Sequence, residues 1–388
     1  MDKCAHLEAI WRAGMESCLA ERVLPPHLPA PPPGRTLVLA LGKAAVPMAR
    51  AVETRWPGPL SGLAVTPYGS GGTLERIEIL FAAHPVPDEG SVAAAGRLLA
   101  LAAGAAEDDL VLVLLSGGAS SLACLPGAGL KLEDKQALTR ALLRSGASVS
   151  EINCVRRHLS LFKGGRLALA AAPSRLVTLA LSDVVGDSPW DIGSGPTAAD
   201  PSGIEEAKAI LGRHGIEAPE AGWSETPKRV PGAWRRVADG GTALEAAAAE
   251  ARRLGYGVRL LDGVGEAREM GREHAALALA AEPGTALISG GEVVVTVRGG
   301  GRGGPNQEYA LAAALALEGR GGICGLAADT DGIDGDSEAA GAYFGCGAPG
   351  GEAALAANDS GTWFAERGAL FVTGPTGTNV SDLRIILT

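Results

Sequence analysis

Five stretches of the chain are almost continuously apolar: 36–42 (TLVLALG), 62–67 (GLAVTP), 77–83 (IEILFAA), 109–118 (DLVLVLLSGG) and 175–183 (RLVTLALSD). A strand that is apolar at every position has both faces covered, as in a parallel sheet with helices on either side. Ala/Leu-rich stretches at 91–105 and 133–146 lie between them, so the spacing predicts β-α-β units and an α/β fold. Such sheets take their ligands beyond the carboxyl ends of the strands. The turns that leave these strands are therefore where candidate site residues belong.

With 388 residues the chain is long for one hydrophobic core and comfortable for two domains. Its texture changes from about 200 to 283. A polar stretch with Pro and Trp (217–235) gives way to a helix near 242–253 and a strand, GVRLLDG. Beyond 284, TALISGGEVVVTVRGGGRGGPNQE predicts two strands about a tight Gly-Gly turn, a glycine loop, and a helix from about 306. Strands GICGLAADTDG and LRIILT follow. We expect a first domain over 1–240 and a second, smaller α/β domain over 241–388, with the boundary inside 235–285.

Net charge is −10, which argues against nucleic acid or an anionic membrane surface as partner but is compatible with a local basic pocket. No stretch approaches the ~18 apolar residues of a membrane span. The N-terminal MDKCAHLEAIWRAGMESCLAERVLPP has no apolar core of a signal peptide and reads as an amphipathic helix. The six cysteines (4, 18, 124, 154, 324, 346) show no metal-binding spacing. Scattered reduced thiols, a cytoplasmic location and a monomer or homodimer are the expectation.

Glycines gather at strand ends beside hydroxyl or charged residues. In LLSGGASSL, Gly117 and Gly118 follow a buried strand and are flanked by Ser116, Ala119 and Ser120. Bare backbone there lets N–H groups approach a phosphate, although a serine cap on an ordinary helix is also consistent. No Gly-Lys-Ser/Thr follows, so it is not the usual P-loop. LALGKAA puts Lys43 in a strand-to-helix turn, one of seven lysines against 27 arginines, where a compact point charge suits a phosphate or carboxylate. INCVRRHLSLFKGGRLA gathers Arg156, Arg157, His158, Lys163 and Arg166 in an acidic protein, as a charged helix face or an anion pocket. Asp183 ends a buried strand and Asp187 and Asp191 follow; a base, a magnesium ligand or a helix cap are open roles.

Gly299-x-Gly301-x-x-Gly304 is formally a dinucleotide fingerprint, but the strand-like alternation before it and the proline after it fit a rigid loop presenting Arg302. AADTDGIDGD (327–336) fails as a calcium loop, because the glutamate needed at 340 is Ala340. GPTGTN (374–379) is a further Gly/Thr turn suited to phosphate or ribose contacts.

Together LGKAA, HPVPDEGS, LLSGGASSL, VRRHLSLFKGGRLA, SDVVGDSPWDIGSGPTAADP, ISGGEVVVTVRGGGRGGPNQE, AADTDGIDG and GPTGTNVSDL resemble the glycerate 2-kinase (MOFRL) family over nearly the whole chain. The resemblance implies an ATP-dependent kinase acting on the 2-hydroxyl of D-glycerate. It also implies a Rossmann-like first domain, a smaller MOFRL-like α/β second domain, and an active site in the cleft between them. On that expectation Ser116, Gly117, Gly118, Ala119 and Ser120 contact the ATP phosphates, with Gly374, Thr376 and Asn379 as further nucleotide contacts. Lys43, Asp183 and Arg302 are the catalytic candidates. Lys43, Arg156, Arg302 and Asn306 are the substrate-binding candidates, and Asp183, Asp187 and Glu308 are candidate Mg2+ ligands. One departure stands out: the family commonly reads Gly-Gly-Arg-Asn-Gln-Glu where this chain has Pro305 in place of the arginine. Some relatives carry the label hydroxypyruvate reductase, which leaves an NAD(P)H-dependent reductase as the alternative, and a non-catalytic binder as a third.

Overall fold

A computed structural model describes residues 3–183, 186, 188–317, 321–345 and 347–388. The chain forms two compact units, Ala20–Val237 and Met1–Leu19 with Ala238–Thr388.

The first unit is built on six strands: β1 (Thr36–Leu41), β2 (Leu60–Pro67), β3 (Ile77–Ala82), β4 (Leu110–Leu115), β5 (Arg175–Leu181) and β6 (Ala233–Ala238). Their order is β3-β2-β1-β4-β5-β6, and the pairs from β3 through β5 are parallel. All five apolar runs are strands. Every residue of β1 and β4 is buried, because each lies between two neighbours and under helices on both faces. Leu39, Leu41, Val65, Val111, Val113 and Leu115 share one core with Leu98 from a helix and Phe162 from a bend. Each such side chain contributes about 1.5–3 kcal/mol on burial. The sequence expectation missed β6: AWRRVA is an edge strand, exposed or half-buried at five positions, and its Arg235 and Arg236 are the charges that edges carry.

Chain order reverses between β1 and β4, which makes their carboxyl ends a topological switch point. The register sets the two ends level, with Leu41 opposite Leu115.

The second unit has a mixed sheet made from β7 (Gly257–Leu261), β9 (Thr285–Gly290), β11 (Cys324–Asp329), β12 (Gly341–Gly345), β13 (Leu370–Phe371) and β14 (Asp382–Leu387). Between these in sequence lie the short β8 (Gly265–Glu266) and β10 (Val293–Val294). The sheet order is β13-β12-β11-β14-β9-β7, with antiparallel pairs except β7 with β9. The hairpin expected about Gly290-Gly291 does not form. β9 instead pairs with β14 and β7, and β10 pairs in parallel with β8. A local turn signal lost to pairing with the distant, wholly buried β14.

The N-terminal helix (Lys3–Ser17) belongs to this second unit, not to the 1–240 span expected for the first domain. Leu7, Ile10 and Trp11 enter the same core as Ala247, Ala251, Ile288, Leu326 and Phe371. Gly14 permits this: a Cβ there would stand 2.9 Å from the carbonyl of Ala243 on the helix Gly240–Arg253. Among the described residues no helix is long and apolar enough to cross a membrane.

Candidate active site

At the switch point the turns after β1 and β4 are bonded to each other. The Ser116 N–H donates to the Leu41 carbonyl (3.0 Å) and the Lys43 N–H to the Gly117 carbonyl (2.8 Å). The Ala44 N–H donates to the Ser116 hydroxyl (3.0 Å). Gly42, at φ 131°, is required here, since a Cβ would fall 2.2 Å from Ser116 Oγ. Ser116 is fully buried and its hydroxyl joins the two turns.

Gly118 (φ 80°) then opens the turn. A Cβ on it would lie 3.0 Å from Cδ2 and 3.2 Å from Nε2 of His84, and 3.3 Å from Cγ of Lys43. Half-buried Lys43 and exposed His84 therefore flank bare backbone. Among the described residues the N–H groups of Gly117 and Gly118 have no hydrogen-bond acceptor. The helix expected after this turn is a single turn, Ala119–Leu122, too short for a helix dipole to matter. What the turn offers an anion is the pair of peptide N–H groups, with the Lys43 side chain beside them. Ser120 turns its hydroxyl to Ser194 (2.7 Å) and accepts from Arg156 (3.3 Å). Ala119 is buried against Gly193, so it serves packing.

His84 was not singled out from the sequence. It sits two residues beyond β3, as Lys43 sits two beyond β1, Gly117 two beyond β4 and Asp183 two beyond β5. Asp88 shapes its approach by capping the helix Glu89–Ala103, accepting from the N–H groups of Ser91 (2.9 Å) and Ala83 (3.2 Å) and from the Tyr68 hydroxyl (2.8 Å). Burial works to raise the Asp88 carboxyl, and these donors outweigh it, so it lies below the ordinary aspartate value. The Asp-x-x-Ser capping box directly after His84-Pro85-Val86-Pro87 was the available signal. Asp183 is half-buried on the same strand edge. Asp187 lies outside the described residues.

The basic run 156–166 is not a solvated helix face. Arg157 is buried between Asp191 (2.9 Å) and Asp200 (2.8 Å). Arg166 donates to four backbone carbonyls, those of Arg157, Lys163, Ser224 and Glu225. Lys163 donates to the carbonyls of Ser120 (2.6 Å) and Ala123 (2.8 Å), fixing the turn that follows Gly118.

In the second unit the glycine loop is rigid and Arg302 is exposed on it. The Arg302 N–H donates to Asp359 (2.9 Å), its carbonyl accepts from Gly361 (2.8 Å), and the Gly303 N–H donates to Asp336 (2.9 Å). The fingerprint glycines serve the protein itself. Cβ atoms on Gly299, Gly301 and Gly304 would fall 2.1, 2.4 and 2.3 Å from Ala357, Asp359 and Asp334. The amino end of the helix Pro305–Ala316 is likewise occupied, since Asp334 accepts from the N–H groups of Asn306 (2.9 Å) and Gln307 (2.8 Å). Burial pushes the Asp334 carboxyl up to about 7 against those two bonds.

Two expected ligands are engaged within the protein. Asn306 is 1% exposed and its amide donates to Asp382 (2.7 Å), so it faces the protein and not a substrate. Glu308 is buried, with one oxygen on Arg268 (2.6 Å) and the other on Asn358 (2.8 Å), so both oxygens already have partners within the protein. Both residues looked available because their partners come from distant segments. Thr376 donates to the Thr330 carbonyl, the Gly374 carbonyl packs against Gly332, and Asn379 is buried, so that turn knits to 330–332. No group of three or more His, Cys, Asp or Glu able to hold a metal lies among the described residues.

Comparison with known proteins adds to this picture. A family model described as a domain of unknown function, DUF4147, matches residues 6–223, and one described as the MOFRL family matches 285–382. D-glycerate 2-kinase of Thermotoga maritima is 42% identical, with 97% of this chain and 96% of the relative covered. A protein of Agrobacterium vitis with a provisional hydroxypyruvate reductase name is 47% identical, covering 98% and 93%. The crystal structure of glycerate kinase from Thermotoga maritima matches over 100% of both chains, with a TM-score of 0.87 at 40% identity.

Proposed function

The chain belongs to the MOFRL family, and from that membership we propose that it is a glycerate kinase, transferring the terminal phosphoryl group of ATP to the 2-hydroxyl of D-glycerate. The observation that carries the reading is the switch-point cluster: two unengaged peptide N–H groups at Gly117 and Gly118, flanked by Lys43 and His84. Phosphoryl transfer needs positioning and charge neutralisation more than covalent chemistry, and this cluster offers both.

In this reading Gly117 and Gly118 hold phosphate oxygens, and the Lys43 ammonium stabilises charge on the transferring group. Asp183 orients the 2-hydroxyl and accepts its proton, or holds Mg2+. One or two carboxylates with phosphates and water are the usual magnesium environment, which Asp183 fits and Glu308 does not. Mg2+ bound with the nucleotide would neutralise the phosphates. Arg302, exposed on its well-bonded loop in the second unit, is a further cation for the phosphoryl group in this reading.

The name carried by the Agrobacterium vitis relative keeps a reductase as the second reading. The glycine fingerprint gives it no support, because the protein's own backbone fills that loop. Release of ADP on adding D-glycerate and Mg-ATP, run beside NAD(P)H oxidation with hydroxypyruvate, separates the two. ADP release without NAD(P)H oxidation is expected; the reverse overturns the kinase reading.

A further inference from the structure

Beside the Gly118 turn the first unit holds a small cavity lined by Lys135, Arg156 and Lys163 with the hydroxyls of Ser120, Ser121 and Thr139. Lys135 and Lys163 are 2% and 1% exposed, and Arg156 is half-buried. Among the described residues no carboxylate lines it. The charged and titratable groups that act on the two lysines are Cys124, Arg156, Arg166 and each other, again with no acid among them. Two buried arginines of this chain are paired: Arg157 with Asp191 and Asp200, and Arg384 with Asp382. A buried charge without a counter-charge carries a large desolvation penalty. Lys163 is partly compensated by two carbonyls, whereas the one bond of Lys135 is a long 3.4 Å to the Arg156 carbonyl.

We propose that this cavity is an anion-binding site for one compact anionic group. Two sources share that chemistry: the carboxylate of the acceptor acid, which rests on the glycerate kinase reading, and a free monovalent anion. The partly open space admits about one water-sized group, such as one oxygen of a carboxylate or a small ion, so a triphosphate is excluded. Arg156 supplies a planar donor pair suited to a carboxylate, and its bond to Ser120 joins the cavity to the Gly118 turn. Pro87, from the loop that carries His84, completes the wall. Burial holds Lys163 at about 7 and Lys135 at about 8, so a bound anion would draw protons onto them.

The test is a melting titration of the full chain with acetate and with chloride, at constant ionic strength set by a bulky sulfonate. Wild type should show a saturable rise in Tm. Lys135→Met removes the stranded charge, so it should melt higher than wild type in anion-free buffer and lose the anion response. Should Lys135→Met not fold, Thr139→Val should weaken the acetate response at least ~3-fold. Kinetics then distinguish the sources. If the acceptor carboxylate is the occupant, acetate competes with D-glycerate, and Lys135→Met raises KM at least ~10-fold with kcat nearly unchanged. If a free anion is the occupant, acetate does not compete and KM stays put. Absence of a saturable shift with either anion in wild type overturns the site. Because melting needs no turnover, a chain without kinase activity would still decide it.

Discussion

Replacing Gly118 by alanine probes the phosphate turn most sharply. At φ 80° an added Cβ costs about 1–2 kcal/mol in backbone strain. It also stands 3.0 Å from the His84 ring and 3.3 Å from Lys43 Cγ, so both side chains must shift by a few tenths of an ångström. A unit of this size loses roughly 2–4 °C of Tm per kcal/mol, so a fall of about 2–8 °C is expected. Binding should suffer separately, because the methyl group sits beside the Gly117 and Gly118 N–H groups and displaces the lysine. We expect the ATP dissociation constant to rise at least ~10-fold, about 1.4 kcal/mol. Gly96→Ala is the control: it lies inside the helix Glu89–Ala103 with no atom within 4 Å of the new Cβ. There the change should stabilise by about 0.5–1 kcal/mol and leave ATP binding alone. Calorimetric titration with nucleotide, beside melting curves, reads both effects. A Gly118→Ala protein that melts lower yet binds ATP within ~2-fold of wild type would refute the phosphate role of the turn.

Lys43→Ala and Arg302→Ala should each lower kcat by roughly 10²–10³ with Tm little changed, as for loss of one preorganised charge in the transition state; near-normal kcat in Arg302→Ala would make the glycine loop a scaffold only. Glu308→Gln should destabilise by about 1.5–3 kcal/mol, because it removes the charged partner of half-buried Arg268, and should leave the Mg2+ dependence of turnover unmoved; a weakened Mg2+ response in folded protein would reinstate it as a ligand. In anion-free buffer the folded-state values of Lys163 and Lys135, about 7 and about 8, lie below the unfolded lysine value. The unfolded chain therefore binds more protons above pH 7; because Lys135→Met keeps Lys163, the difference between the two proteins reports Lys135 alone and should move in favour of wild type as pH rises from about 8 toward the unfolded lysine value. Urea midpoints across that window check this, and a falling difference contradicts it.

Much of the first unit was readable because its signals are local. The unbroken apolar run Val111–Leu115 can only be a doubly covered strand, and Lys43 and Gly117-Gly118 announce themselves at strand ends. Each of the misreadings involves a partner far away in sequence. Asn306 and Glu308 look like ligands until Asp334, Asp382, Arg268 and Asn358 close on them. Gly290-Gly291 looks like a hairpin turn until β14 takes β9 as its neighbour. The anion cavity is assembled from three segments around 120, 135 and 156–163, and no one of them shows that the others lack an acid. His84 was within reach, since it occupies the same position past its strand as the lysine and the glycines do.

The proposed phosphoryl transfer to the 2-hydroxyl of glycerate at the β1/β4 switch point is tested most directly by the reaction of D-glycerate with Mg-ATP in the presence of enolase and no phosphoglycerate mutase. Enolase dehydrates 2-phosphoglycerate directly, so phosphoenolpyruvate should form in step with ADP in wild type and fall to background in Lys43→Ala. ADP release without phosphoenolpyruvate would contradict the position of transfer, and full activity in Lys43→Ala would contradict the site.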